Sequence, residues 1–386
     1  MIATDKLALK EKVFAAIDAA YDELFDYAKS VAKEPEFGFK EFKTAKKVEA
    51  QFDKLGIPYR NHLAITGVKG LLKGGKPGPT IAILGELDAI SSPDHPLADP
   101  DTGAAHACGH HMQQSAMLAA AYGLARTHAL DELCGNVVFF AVPAEEYVQL
   151  AYRKKLRREG KLHYLHGKGQ LIYEGEFDDI DMAMQMHSSK KTPEPTVAVG
   201  TSSNGFVGKT IQYVGRSAHA ADAPDQGINA LNAAMLGIMG INSLRETFRD
   251  EDAIRVHPII TKGGDLVNNV PDDVRIETYV RAKTMEAIEK THKESMPPCG
   301  LAVWLLVPKS TSTRCLVICP LSATPHLMNF WWKMPRKRSP VSRSSMPAIS
   351  VLPQIWETFL ILCPLSILLL GNGRAPSRRR FQGCRL

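Results

Sequence analysis

The sequence predicts an α/β fold in which a mostly parallel sheet is joined to a smaller inserted α+β domain. Two amphipathic helices open the chain, with apolar residues at helical spacing over residues 7–31 and 39–55. Apolar runs of strand length then alternate with helical segments as far as residue 187, an alternation that is typical of a parallel sheet. Beyond residue 204, alternating strands flank one helix, which indicates the second domain.

The predicted elements follow one another in a regular order. Gly56 and Pro58 end the second helix. The elements that follow it are predicted strands at 67–72, 80–84, 136–142 and 182–186 and a helix at 113–127. Those of the smaller domain are strands at 205–214 and 273–282 and a helix at 227–247.

Acidic and histidine side chains directly follow the second, third and fourth of these strands. They are Asp88, the adjacent pair Glu145 and Glu146, and His187. Because the carboxyl ends of parallel strands meet at one edge of a sheet, we expect these side chains to lie close together. Adjacent carboxylates point in different directions, so one can bind a metal ion while the other acts as a general base. By itself, such a pair is usually an ordinary surface feature.

A cysteine and three histidines lie together just before the predicted helix at 113–127. In the segment HACGHH, Cys108 and His110 are two residues apart, which lets a thiolate and an imidazole converge on one site. This ligand combination favours zinc or a similar metal ion. The neighbouring His106 and His111 could support the ligands or be polar loop residues. On its own, the C-x-H spacing indicates a metal site only weakly.

Five segments together resemble a known family. They are GELDA at 85–89, HACGHH at 106–111, PAEE at 143–146, GRSAHAADAPDQGINAL at 215–231 and NNVPDDVRIETYVR at 268–281. With the histidine-ended strand, their order and separations over residues 30–294 resemble the metal-dependent amidohydrolases and carboxypeptidases. That family includes hippurate hydrolase, indole-acetyl-amino-acid hydrolase, N-acyl-amino-acid amidohydrolase and aminoacylase.

The resemblance implies roles for the polar residues of the larger domain. It implies two divalent metal ions, Zn or Mn, which activate a water molecule and polarise the carbonyl of an amide bond. Glu145 would be the general base and Asp88 an orienting carboxylate. The implied metal ligands are Cys108, His110, Glu146 and His187.

The resemblance also assigns the smaller domain to a lid that pairs two subunits. His219 would reach a partner's active site in a homodimer and stabilise the oxyanion. Without the resemblance, His219 would be interpreted as a loop histidine. Asn269 and Arg281 match positions near the substrate carboxylate, and ordinary strand-end roles remain open for both. The implied substrates are N-acyl amino acids or short peptides.

Two positions depart from the family pattern. His111 stands where aspartate is usual, and Glu86 replaces the first acid of the motif DMDA. Both leave the implied ligands intact, so we expect them to affect specificity more than the reaction.

The predicted domains are a catalytic domain at 1–203, an incomplete lid or dimerisation domain at 204–294 and a tail at 295–386. The tail holds 12 of the 47 basic residues but only one of the 41 acidic residues, Glu357. The formal net charge of +6 therefore joins an acidic part to a basic tail, and it does not indicate binding to nucleic acid or a membrane. No part of the tail resembles the family.

A shifted reading frame explains the tail. Back-translation of residues 354–368 with suitable codons, read one base earlier, permits TDMGDVSHLMPTIHP, which resembles the segment near the family's last metal ligand. The same shift over 308–321 permits AKVHIDTLPGYLPL, which resembles the last lid strand. We therefore expect an out-of-frame tail that is disordered or misfolded. The family's last ligand, a histidine, would be missing, because the tail offers only His326.

Three interpretations remain open. The leading one is a metal-dependent hydrolase of amide bonds whose activity the shifted frame abolishes or impairs. The alternative is a non-catalytic remnant that keeps partial metal binding. A third is a module that binds a membrane or nucleic acid through its basic tail. The N-terminus lacks the unbroken apolar core of a secretory signal, so a cytoplasmic location is expected. The basic run at 152–161 is interpreted as a solvated helical face.

Overall fold

The computed structural model describes residues 3–188, 196–199, 204–295 and 362–369. These residues belong to two compact units. The first contains the described residues up to 199 together with 362–369, and the second contains 204–295. Apart from Ser295 and 362–369, the predicted out-of-frame tail, including His326, lies outside the described residues. Its assignment therefore stays a prediction.

The described chain begins with three helices, five strands follow, and shorter groups of helices and strands come after them. The helices are α1 (Ala3–Asp18), α2 (Tyr21–Ala32), α3 (Phe42–Leu55), α4 (His110–Thr127), α5 (Leu150–Arg158), α6 (Gly167–Tyr173), α7 (Ala230–Ser243) and α8 (Met285–Ser295). The strands are β1 (Tyr59–Leu63), β2 (Gly67–Lys73), β3 (Lys76–Glu86), β4 (Ile90–Ser91), β5 (Ala104–Ala105), β6 (Cys134–Val142), β7 (Met182–Gln185), β8 (Thr196–Val199), β9 (Gly205–Val214), β10 (Arg255–Lys262), β11 (Asp273–Ala282) and β12 (Leu362–Leu369).

The first unit contains a seven-stranded mixed sheet with the order β1-β2-β6-β3-β7-β12-β8. Its central strands β6, β3 and β7 are parallel to one another, while β2 is antiparallel to β6. Strand β12 pairs antiparallel with β7 and parallel with β8. The predicted α/β class is confirmed, and the parallel strands bring three carboxyl ends to one edge of the sheet.

Helices cover this sheet through an apolar core. Val48 and Phe52 on α3 and Leu118 on α4 are fully buried, and they pack in one cluster with Val68 and Phe139 of the sheet. The spacing of the buried α3 residues gives that helix one apolar face. It ends as predicted at Gly56, whose φ of 65° is the left-handed conformation that glycine adopts without strain. Helix α4 is thereby anchored with its first residue, His110, at the edge of the sheet formed by the carboxyl ends of the parallel strands.

The second unit is a three-stranded antiparallel sheet covered by helices α7 and α8. Its strand order is β10-β11-β9. Ile211, Ile276 and Val280 from the sheet and Ala234 from α7 form its buried core. The predicted strands at 205–214 and 273–282 have the bounds of β9 and β11. The helix predicted at 227–247 is shorter, because Asn229 caps α7 by accepting from the Asn232 amide.

None of the described helices has the combination of length and apolar character that a bilayer-spanning segment requires.

Candidate functional site

The polar residues predicted to form a site gather at the carboxyl edge of the parallel strands. Strand β3 ends at Glu86 and β6 at Val142, and β7 ends two residues before His187. Helix α4 begins at His110 beside these ends. The structure therefore brings the predicted residues of the first unit together.

Cys108, His110 and His187 form the first group of metal-ligand atoms. Each of the three offers one such atom within 4.8 Å of the others. Cys108 Sγ lies 3.4 Å from His187 Nε2, and the thiol is free. His187 Nδ1 donates to the Ser188 carbonyl oxygen at 2.7 Å, which leaves Nε2 directed at Cys108. A thiolate and two imidazoles suit zinc or a similar ion.

Gly109 permits this approach of α4 to the segment after β7. Its φ of 89° is left-handed, and a Cβ at this position would lie 2.4 Å from Ser188 Oγ. Ser188 Oγ also donates to the Cys108 carbonyl oxygen at 3.0 Å. The glycine between Cys108 and His110 thus lets two segments of the site meet.

Glu86, His110 and Glu145 form the second group of metal-ligand atoms, again within 4.8 Å of one another. His110 is fully buried, and its Nδ1 lies 2.8 Å from the Asp88 carbonyl oxygen. Its Nε2 lies 3.0 Å from Glu86 Oε2 and 4.0 Å from both Glu145 and Glu146. A buried imidazole nitrogen surrounded by carboxylates fits a divalent cation.

The loop that carries Glu145 and Glu146 is fixed through its main chain. Ala144 has a φ of 49°, unusual for a residue other than glycine, and its amide donates to Glu41 Oε1 at 2.8 Å. The Glu146 amide donates to Asp88 Oδ2 at 2.8 Å. The Arg153 guanidinium donates to the Glu146 carbonyl oxygen. The two carboxylates are therefore held by hydrogen bonds that leave their own oxygens free for other partners.

The buried position of Arg153 corrects the interpretation of the basic run. That run was expected to be a solvated face, yet Arg153 is 0 % exposed. Its guanidinium also donates to the Leu165 carbonyl oxygen at 2.8 Å and lies over the Phe39 ring. A planar group with five donors satisfies several carbonyl groups at once, which explains an arginine here. Other members of the run, such as Lys155 and Arg158, are exposed.

Burial and mutual charge set the pKa values of the site. Burial raises the pKa of Glu145 to about 7, and the neighbouring Glu86 carboxylate adds to this effect. Burial also opposes ionisation of Glu86, but the Lys168 ammonium and His110 beside it outweigh burial and hold its pKa well below its usual range. The hydrogen bond with Cys108 raises the pKa of His187 to about 9. The site thus contains one carboxyl group, that of Glu145, whose pKa is near 7, and another, that of Glu86, that stays charged at neutral pH.

The two neighbouring histidines lie outside both groups of metal-ligand atoms. Burial lowers the pKa of His106 to about 2 and that of His111 to about 4, so both rings are neutral. Their ring centroids are 5.5 Å apart. Whether His111 affects specificity, as the sequence suggested, stays a prediction.

Sequence reasoning missed several supports of this site. Glu41, Arg153 and Lys168 are given no role by the sequence, and Glu86 is expected to affect specificity more than the reaction. Glu86 could have been recognised from its place at a strand end, two residues before Asp88. For Glu41 no local signal exists, because it acts on Ala144, 103 residues away in the chain. Arg153 is only 7 residues from Glu146, but nothing in the basic run distinguishes it from its exposed neighbours.

The three predicted residues of the smaller domain lie in the second unit. His219 and Asn269 are joined by a main-chain bridge, and both side chains are exposed. His219 Nδ1 accepts from the Asp222 amide at 3.0 Å. Arg281 lies on β11, where its guanidinium stacks over the rings of Phe206 and Tyr279. Their roles toward a substrate stay predictions.

Residues 82–304 of this chain match the sequence profile of peptidase family M20/M25/M40. Among curated relatives, the IAA-amino acid hydrolase ILR1-like 2 of Arabidopsis thaliana is 28% identical over 73% of this chain and 61% of its own. N-acetyl-L-cysteine deacetylase of Bacillus subtilis is 28% identical over 72% and 64%. The Xaa-Arg dipeptidase of Mus musculus is 30% identical over 56% and 42%. The chain thus spans less than two thirds of these three relatives.

Solved structures have the same fold. The aminobenzoyl-glutamate utilization protein of Klebsiella pneumoniae superposes with a TM-score of 0.54 and 18% identity, over 76% of this chain and 75% of that one. The YXEP protein of Bacillus subtilis, described as a dinuclear metal binding peptidase of family M20, superposes with a TM-score of 0.50 and 22% identity over 75% and 72%. The profile match covers more than half of the chain and confirms the resemblance, so the chain belongs to peptidase family M20/M25/M40.

Proposed function

We propose that this chain derives from a hydrolase that cleaves the amide bond of N-acyl amino acids or short peptides with two divalent ions, Zn or Mn. The observation that carries the proposal is the convergence of one thiol, a second imidazole and three carboxylates on the buried His110 side chain. They belong to Cys108, His187, Glu86, Glu145 and Glu146. The relatives support the substrate class, because their names describe hydrolysis of amino-acid conjugates and removal of an acetyl group. The YXEP structure supports the number of ions.

The residues of the site have different proposed roles: some would hold the metal ions, and others would transfer protons or orient the ligands. Cys108, His110, Glu146 and His187 would hold the ions, which when bound make water acidic enough to attack at neutral pH and polarise a carbonyl group. Glu145, with a pKa near 7, can accept a proton from the attacking water and give it to the leaving amine. Asp88 orients the site through its contacts with His110 and the Glu146 amide.

The second unit would complete the site in a homodimer. His219 would stabilise the oxyanion in a partner subunit, and Asn269 and Arg281 would bind the substrate carboxylate. Exposed apolar residues of this unit support an interface, since Met235 and Met239 on α7 and Ile259 on the edge strand β10 are all exposed. These assignments rest on the resemblance and on the exposure of the residues.

A shifted reading frame from about Ser295 would make this chain inactive or impaired. The family's last metal ligand would be absent, since it is encoded one base away. The alternative function is a non-catalytic remnant with partial metal binding, and the free thiol of Cys108 beside His187 favours some retained affinity.

The test compares the chain of 386 residues with a frame-restored chain, in which the one-base shift after Glu294 is reversed. We expect the frame-restored chain to bind two ions per subunit and hydrolyse N-acyl amino acids, and the chain as it stands to bind metal with little or no turnover. Turnover by neither chain would overturn the proposed activity. Equal turnover by both chains would contradict the proposal that the shifted frame impairs activity. Sequencing the gene around the Glu294 codon tests the frameshift itself.

A further inference from the structure

Glu86 lies where a metal ion would contact it, although the resemblance gives it no ligand role. It is the last residue of β3, and its side chain is 1 % exposed. Its Oε2 lies 3.0 Å from His110 Nε2, and the two residues share a group of metal-ligand atoms with Glu145. A carboxylate removed from water at this depth requires a cation or a set of donors.

The separation of His110 Nε2 and Glu86 Oε2 suits two ligands of one cation. Nδ1 faces the Asp88 carbonyl oxygen at 2.8 Å and therefore donates to it. A ring that binds a metal ion is neutral, and with the proton on Nδ1 its lone pair lies on Nε2, the nitrogen that faces Glu86 Oε2. Two ligands of one ion, each at about 2.1 Å, lie roughly 3 to 3.4 Å apart when the angle at the metal is between a right angle and the tetrahedral angle. The separation of 3.0 Å matches that spacing.

The rest of the Glu86 environment fixes this carboxylate in place. Lys168 Nζ donates to the opposite oxygen, Oε1, and Gln113 Nε2 donates to Oε2 at 3.1 Å. The main-chain carbonyl oxygen of Glu86 accepts from Gln114 Nε2 at 2.7 Å. A ligand whose second oxygen is held by a hydrogen bond is already oriented for the metal, as supporting residues around metal sites commonly ensure.

We propose that Glu86 is a ligand of the ion that binds His110, and that Lys168 is a positioning residue that holds its other oxygen. This proposal rests on the proposed metal-dependent function, and it adds a fifth protein ligand to the four implied by the resemblance. The replacement of the first acid of DMDA by glutamate then concerns metal binding rather than specificity.

The test is a titration of the full chain with Co²⁺, which is followed by visible ligand-field absorption and by competition with a coloured chelator. In Glu86→Gln we expect Co²⁺ affinity to fall by about 100-fold or more for one ion, and the absorption bands at saturation to shift. Lys168→Met keeps the ligand, so we expect it to keep the bands. Glu176→Gln is the matched control, because Glu176 is another buried carboxylate paired with a lysine, Lys69, outside the site. In Glu176→Gln we expect neither the Co²⁺ affinity nor the absorption bands to change.

Two further variants separate the possible failures. The double variant Glu86→Gln with Lys168→Met removes both charges of the buried pair, so it tests the ligand even where the single variant does not fold. Cys108→Ser tests the site independently of Glu86. Loss of metal in Cys108→Ser, with unchanged bands in the Glu86 variants, would overturn this inference alone. Absence of Co²⁺ binding by both the unsubstituted chain and the frame-restored chain would overturn the metal-dependent function together with it.

Discussion

The predicted residues of the first unit are buried or half-buried and held by many contacts, whereas His219 and Asn269 of the second unit are exposed and held by few. His110 is enclosed by the Asp88 carbonyl oxygen and by three carboxylates. His219 is exposed, and its ring accepts only from amides of its own turn among the described residues. The first arrangement is organised by the folding of one unit. The second is ordered only by contacts within the His219 turn, and its proposed role requires a partner subunit or a substrate.

The largest effect is expected from Glu145→Gln in the frame-restored chain. Loss of the general base should lower kcat by about 1,000-fold. Metal content should remain that of the unsubstituted protein, because the amide keeps the shape of the side chain. Elemental analysis and turnover on an N-acyl amino acid measure both. The control is Glu159→Gln, an exposed carboxylate of the same unit. A Glu145 variant that retains full turnover would remove this residue from the reaction.

His219→Ala should lower kcat/KM by about 100-fold in the frame-restored chain, the usual cost of removing one oxyanion donor. Because the side chain is exposed, the free energy of unfolding should change by less than about 0.5 kcal/mol. The matched control is His257→Ala, an exposed histidine on β10 of the same unit. If His219→Ala instead lost metal, the contrast between the two regions would be wrong.

Arg153→Met should lower the free energy of unfolding by about 2 kcal/mol, because the Glu146 and Leu165 carbonyl oxygens lose a charged donor while buried. Arg158→Met, on the exposed side of the same helix, should have little effect. Urea unfolding of the two variants measures the difference. Equal values would show that the buried guanidinium contributes nothing to the loop that carries the carboxylates.

The smallest effect is a pH dependence due to Glu41. Burial raises its pKa to about 8 from 4.5, so between these values the folded chain keeps a proton that the unfolded chain loses. The free energy of unfolding should therefore fall as pH rises from about 5.5 to about 7.5. Glu41→Gln has no such proton but can still accept from the Ala144 amide and donate to Thr66. Its stability relative to the unsubstituted chain should rise by about 1 to 2 kcal/mol over this range. Urea unfolding measures this difference, and the same difference in free energy of unfolding between the two chains at both pH values would contradict the prediction.

Local patterns in the sequence were sufficient for the central strands, for their ends and for two strands of the second unit. The alternation of apolar residues placed β9 and β11, and the polar residues after β3, β6 and β7 were expected at one edge because parallel strands share it. Strand β10 was not predicted. Its exposed Ile259 and Ile260 interrupt the alternation that identifies a half-buried strand.

Tertiary contacts explain what the sequence could not show. Arg153 is buried because Gly38 leaves room for it, and a Cβ at Gly38 would lie 2.3 Å from the guanidinium. Nothing near residue 38 or residue 153 in the sequence indicates this pairing. The same holds for Lys168, which meets Glu86 only after β3 and α6 have packed together.

The hydrogen bonds that reach the site from the first helices have a consequence for its evolution. Tyr27 donates to Gln114, which in turn donates to the Glu86 carbonyl oxygen, and Glu41 secures Ala144. Tyr27 and Glu41 both precede residue 82, where the match to the family profile begins. The metal-binding motifs are therefore not a transferable module. A recombination event that moved the motifs without the helices that precede them would carry every ligand of the first unit and leave behind the framework that holds them.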